Sequence, residues 1–171
     1  LTQTTGLPWI GESHEFPYAE QKLAAAGKTP RVLIENLRGD TRIMGADIEE
    51  VRASGRLNVR AYQLDDAEKV NQQCKLEVVR QGDLIVIRSN QERAGSSTKV
   101  DANLEVTVPR GATVEMRGRY GDWEVGDIAG ALTVDSENAG VRITNVGGAV
   151  RVNTRASDIV RVTNAKSTVE L

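Results

Sequence analysis

Along the last third of the chain, apolar residues return at fixed intervals with polar residues between them. One column runs Val114, Leu132, Val150, Val169, and a second runs Met116, Val134, Val152, Leu171. A third holds Val125, Ile143 and Val162, and a fourth Ile128, Val146 and Ala165. Successive members lie 18 or 19 positions apart. Alternation inside each segment predicts strands buried on one face. A constant period of this length predicts coils that stack on one another around a shared interior. The expected fold is all-β: a single-chain β-solenoid with regular coils over 112–171 and a less regular part over 31–111. Residues 1–30 are expected to form an irregular lead-in.

The stretch VLIENLRGDTRI (Val32 to Ile43) aligns without gaps on Val141 to Val152 and on Val160 to Leu171. It places Ile34 with Ile143 and Val162, Leu37 with Val146 and Ala165, and Asn36 with Asn145 and Asn164; Asp127 takes the same place in the intervening coil. Asn and Asp tolerate left-handed backbone, so these positions are predicted corners, with side chains that can bond to one another as a ladder. Gly39, Gly130 and Gly148 mark the next corner, with Ser167 in the last coil.

Elsewhere, Gly55 to Tyr62 alternates like a strand, and Asp65 to Cys74 predicts a short helix opened by an Asp cap, with Ala67, Val70 and Cys74 on one face. Lys75 to Ser89 reads as a hairpin turning at Gly82 and Asp83. Gln91 to Lys99 reads as a polar mobile loop, and Ala102 to Met116 as two strands punctuated by Pro109 and Gly111. In the lead-in, which carries Trp9, His14, Phe16 and Tyr18, a helix from Ala19 ending on Gly27 and a strand from Phe16 both remain open.

The run LEVTVPRGATVEMRGRYGDWEVGDIAGALTV (Leu104 to Val134) has a Val-Pro-Arg-Gly turn followed by Gly-Asp pairs at 121–122 and 126–127. With LIENLRGDTRI (Leu33 to Ile43), it resembles the bacterial β-strand-repeat family described as putative adhesins, formerly a domain of unknown function. The resemblance covers roughly Arg31 to Leu171 and rests on order and spacing. It implies a right-handed parallel β-helix and a place in the cell envelope or outside the cell. It brings no catalytic or ligand-binding motif with it.

Charge and composition narrow the function classes. A net charge of −2 lacks the basic excess of a nucleic-acid binder, and 4% aromatics leave few stacking platforms. With one cysteine and one histidine there is no intrachain disulfide, zinc set or Ser–His–Asp arrangement to assemble. His14 is expected at the surface or in packing, and Cys74 as a buried inert thiol. The Gly-Asp pairs are too sparse for a calcium repeat. No catalytic residue, metal or cofactor is expected, and no apolar run reaches transmembrane length. The chain starts at Leu1 and stops at Leu171 in mid-pattern, as expected of a processed or excised piece.

Outward positions beside the columns read Glu115, Thr133, Arg151, Glu170 and Glu124, Arg142, Arg161, a mixed and largely self-compensating set. The candidate outward binding face comprises Arg142, Arg151 and Arg161, with Tyr120 and Trp123 flanking Gly121-Asp122. The expected role is a non-catalytic, envelope-associated or secreted scaffold whose partner is a macromolecule such as an envelope polysaccharide. One alternative is a regulatory module of envelope-stress signalling bound to a membrane protein. Another is end-to-end self-association through an open edge at Val169 and Leu171. A polysaccharide-active enzyme comes last and would require two carboxylates beside an Arg in one groove.

Overall fold

The computed structural model describes residues 12–95, 99–157 and 159–171. The strands are β1 (Glu12–Ala24), β2 (Arg31–Arg38), β3 (Thr41–Ala46), β4 (Glu50–Ala61), β5 (Glu77–Gln81), β6 (Leu84–Arg88) and β7 (Lys99–Pro109). They continue as β8 (Thr113–Tyr120), β9 (Trp123–Ile128), β10 (Leu132–Asn138), β11 (Val141–Val146), β12 (Val150–Ala156), β13 (Val160–Ala165) and β14 (Val169–Glu170). One helix, α1 (Leu64–Gln73), and a 3₁₀ turn at Gln91–Ala94 interrupt them.

The fold is all-β, in two mixed sheets, neither of them closed. The first runs β1-β4-β7-β3-β9-β11-β13 and the second β14-β12-β10-β8-β2-β6-β5. From β8 onward, consecutive strands enter the two sheets in turn, and every pair is parallel. The 18- and 19-residue period is the pairing register itself: Leu132 lies opposite Val114 and Val150, and Ile143 opposite Val125 and Val162. Inward residues of both sheets, among them Ile34, Met116 and Val134 from the second and Ile43, Val125 and Ile143 from the first, form one core.

The first strands enter this pattern half a repeat away from where the gapless alignment put them. β2 pairs with β8, so Val32 and Ile34 stand opposite Val114 and Met116, and Ile43 of β3 stands opposite Val125. Ile34 therefore does not share a column with Ile143 and Val162, which lie in the other sheet. Each repeat contains two strands of similar alternation, and a shift by half a repeat matches apolar on apolar just as well. Asn36 and Gly39 move with it. Asn36 is buried beside Gly118. Gly39 has φ +120 and stacks against Gly121 (φ +139), whose added Cβ would meet the Gly39 carbonyl oxygen at 1.9 Å.

The predicted corner ladder exists for the other three members. Asp127, Asn145 and Asn164 all have left-handed backbone, at φ +60, +58 and +56. Asn145 Nδ2 donates to Asp127 Oδ1 at 3.0 Å, and Asn164 Nδ2 donates to Asn145 Oδ1.

The N-terminal end is built differently. β1, left open as helix or strand, is a strand pairing antiparallel with β4, which pairs antiparallel with β7. The predicted hairpin forms between β5 and β6, with Gly82 at φ +63. α1 packs against β4, β1 and the 3₁₀ turn, with Ala67 and Cys74 buried and Val70 half-buried. Its N-cap is Gln63, without a side-chain bond; Asp65 and Asp66 lie inside the first turn, where they complement the helix dipole. The Tyr18 hydroxyl donates to the Cys74 carbonyl. Burial pushes the Tyr18 phenol well up, with Cys74 adding to it, and burial also raises the Cys74 thiol.

One further expectation changes. Gln91 to Ala94 is a 3₁₀ turn rather than a mobile loop; Gln91 is buried and its Nε2 donates to Asn36 Oδ1 at 2.7 Å. Residues 96–98 of that stretch lie outside the described residues. The strands either side of Pro109, β7 and β8, do not pair but enter different sheets.

Candidate functional site

A groove of about 990 Å³ crosses the outer face of the first sheet, over β4, β7, β3, β9 and β11. Two rows of side chains build its floor, each row running perpendicular to the strands.

The first row comes from Asn103 within β7 and from the residues just before β3, β9 and β11. The Asp40 amide donates to Asn103 Oδ1 (3.0 Å), the Asp122 amide to Asp40 Oδ1 (2.9 Å) and the Gly140 amide to Asp122 Oδ1 (2.9 Å). These bonds satisfy corner amides that would otherwise lack partners. Asp40 and Asp122 each keep a second oxygen with no protein partner among the described residues. The sequence offers Asp122 only as half of a Gly-Asp pair, with no sign of this row.

The second row lies two residues along. Glu105, Arg42, Glu124, Arg142 and Arg161 stand opposite one another in that order, on neighbouring strands about 4.8 Å apart. The Arg42–Glu124 contact is stretched to 4.0 Å, with both side chains 55% exposed. Glu105, Arg142 and Arg161 have no ion-pair partner among the described residues. The half-repeat shift hid this row, because it set Arg42 beside Arg151 rather than between Glu105 and Glu124.

The outer face of the second sheet ends differently. There Glu35 pairs with Arg88 (2.7 Å), Glu115 with Arg117 (2.7 Å), Glu137 with Arg119 (3.3 Å) and Glu170 with Arg151 (3.4 Å). The bond from Glu35 pushes the Arg88 guanidinium up from its ordinary value. A smaller cleft of about 600 Å³ over this face is lined by several of these paired groups.

The five residues expected to share one face are therefore divided. Arg142 and Arg161 are neighbours on the first sheet, and only Arg142 lines the groove. Arg151 is on β12 of the second sheet. Tyr120, 40% exposed, ends β8, with the Arg38 guanidinium 4.8 Å over its ring. Trp123 is not outward at all: it is 2% exposed, opposite Thr41 and Val141, on the inward face it shares with Val125. Among the described residues no group of His, Cys, Asp or Glu is arranged to hold a metal ion, and no helix is long and apolar enough to cross a membrane.

Fold and site define an all-β, two-sheet protein with a polar groove across one outer face. No family model and no curated protein sequence matches the chain. Among solved structures it is similar to a putative cell adhesion protein from Clostridium sporogenes, at 9% identity over 91% of this chain and 98% of that one, with a TM-score of 0.42. It is also similar to putative adhesins from Parabacteroides merdae (10% identity, 89% and 95% covered, TM-score 0.31) and Parabacteroides distasonis (8%, 94% and 97%, 0.31). Likeness at this level fixes neither an activity nor a partner.

Proposed function

We propose that the chain is a non-catalytic β-solenoid scaffold of the cell envelope or exterior, which holds another macromolecule along the groove of the first sheet. The parallel 18- and 19-residue register in both sheets supports the solenoid reading, and the β-strand-repeat resemblance supports the setting. The observation that carries the binding face is the contrast in charge pairing. The groove leaves Glu105 and Arg142 without partners among the described residues, whereas Glu35, Glu115, Glu137 and Glu170 of the second sheet are each ion-paired. A row of loosely paired and unpaired charges on stacked strands offers many small contacts from a paired backbone, so that the ordering cost of binding falls on the side chains alone.

The same groove sets two carboxylates, Glu105 and Glu124, on either side of Arg42. Two strand spacings separate them, about 9–10 Å, near the upper limit for inverting glycoside hydrolysis. A general acid must hold its proton at neutral pH, which takes burial. Glu124 is 55% exposed and Glu105 is exposed too, so the pair is suited to binding.

The test is capture by the purified chain from two envelope fractions, isolated polysaccharides and detergent-solubilised membrane proteins. Arg42→Glu with Arg142→Glu is expected to abolish capture, and Arg117→Glu with Arg151→Glu to preserve it. The opposite pattern would move the binding face to the second sheet. Capture of one defined membrane protein through the groove would favour a regulatory module.

One observation favours a second reading, end-to-end self-association. Val169, in the edge strand β14, and Leu171, directly after it, are 41% and 73% exposed. Sedimentation should then show concentration-dependent dimers that Val169→Lys removes; a strict monomer would exclude it.

A further inference from the structure

We infer that the occupant of the groove is an extended, uncharged polysaccharide; this rests on the groove being the binding face. Four carboxylates and three guanidiniums line it, with opposite signs set beside each other. Such a floor has no single-sign field to draw in a polyanion or a polycation, so an acidic glycan loses the advantage that the arginines alone would give it. What the floor does offer is alternation. Carboxylates only accept hydrogen bonds, guanidiniums only donate, and a hydroxyl does both. Glu105, Arg42, Glu124 and Arg142 thus present acceptor, donor, acceptor and donor at successive strands, about 4.8 Å apart. That step is close to the length of one sugar ring in an extended chain.

Two observations argue against a polypeptide in the same place. A peptide that adds to a sheet needs a free strand edge, and β4, β7, β3, β9 and β11 are each paired on both sides. A protein surface needs aromatic or apolar anchors. Of the apolar residues lining the groove, Tyr18, Leu104, Trp123 and Val141 are buried, which leaves Ile159 as the exposed one.

Affinity electrophoresis of the full chain tests this, with dextran, mannan, laminarin and hydroxyethyl cellulose in parallel gels against alginate and hyaluronan. At least one uncharged polymer should retard the chain, with little change as salt rises from about 0.1 to 1 M. Glu105→Gln with Arg142→Gln should weaken that retardation about tenfold or more. Glu115→Gln with Arg117→Gln should leave it unchanged. Retardation by the acidic polymers alone, by none of them, or equally with the groove variant would overturn the inference. If the groove variant instead loses capture of a membrane protein, the groove stands as the binding face and only its polysaccharide occupant falls. If the variant alters neither capture nor retardation, both fall.

Discussion

The outer faces of both sheets carry charges in cross-strand register, yet the row from Glu105 to Arg161 on the first is left largely open while Glu35, Glu115, Glu137 and Glu170 on the second are each ion-paired. On the second sheet, Glu115 and Arg117 sit two residues apart on one strand and meet at 2.7 Å, and Glu35 meets Arg88 across strands at the same distance. On the first sheet, the residues two positions beyond the charged row are Thr107, Met44, Gly126, Thr144 and Thr163. None of them is charged. The residues two positions before it include Asn103, Asp40 and Asp122, whose Oδ1 atoms already accept corner amides. The charges of this row are left with partners only across the strand spacing, where Arg42 and Glu124 meet at 4.0 Å; away from the row, Arg52 meets Glu50 at 2.6 Å and Arg56 meets Glu15 at 3.7 Å. A column of mixed charge is therefore not inert by composition alone; what decides it is whether its members meet, across strands as Glu35 and Arg88 do or along one strand as Glu115 and Arg117 do.

The comparison can be broken first from the inside, where the two sheets should behave alike. Ile143→Ala in the first sheet and Ile34→Ala in the second both empty the shared core, and each should cost about 2–5 kcal/mol in urea denaturation. A large inequality would mean that the sheets do not share one core. Next comes Gly121→Ala, which sets a Cβ against the Gly39 carbonyl at a left-handed φ and should cost about 3 kcal/mol. It should also reduce binding in the groove, because the strained corner precedes Asp122.

Tyr18 belongs to the first sheet alone. Tyr18→Phe leaves the Cys74 carbonyl without its donor and should cost about 1–3 kcal/mol at neutral pH. Burial raises the folded phenol above its unfolded value, so the unfolded chain loses this proton first as pH rises. The phenol's contribution is therefore complete below about pH 10 and declines above it. Cys74 acts in the same direction. Alkaline denaturation should be shallower in Tyr18→Phe, and an unchanged slope would contradict the assignment.

Asn145→Ala removes the middle rung of the corner ladder from a left-handed residue and should cost about 1 kcal/mol, with Asn145→Gly costing less. The smallest stability effects belong to the charges themselves. Glu115→Gln and Arg142→Gln should each change stability by under about 0.5 kcal/mol in thermal melts, on either face.

Much of the fold was legible because its period is also its register: the columns from Val114, Met116, Val125 and Ile128 are the strand pairings. The ladder of Asp127, Asn145 and Asn164 was legible because few residues besides Gly accept left-handed backbone. Where β2 and β3 join was not, since a two-strand repeat matches itself after half a repeat, and that same ambiguity concealed Arg42 and Glu105. Trp123 was misplaced because a residue opening a strand belongs to either face until the strand's first inward position is known. The groove needs atoms from five strands spread over more than eighty residues of sequence, a juxtaposition no local pattern records.

Hydroxyl-radical footprinting of the chain bound to envelope material, compared with the free chain, tests the central claim most directly. Protection confined to Arg42, Glu124, Arg142 and Ile159 is the result the open face of the first sheet predicts. Protection centred on Glu115, Arg117 and Glu137, with the groove still reactive, would place the working surface on the other sheet and contradict it.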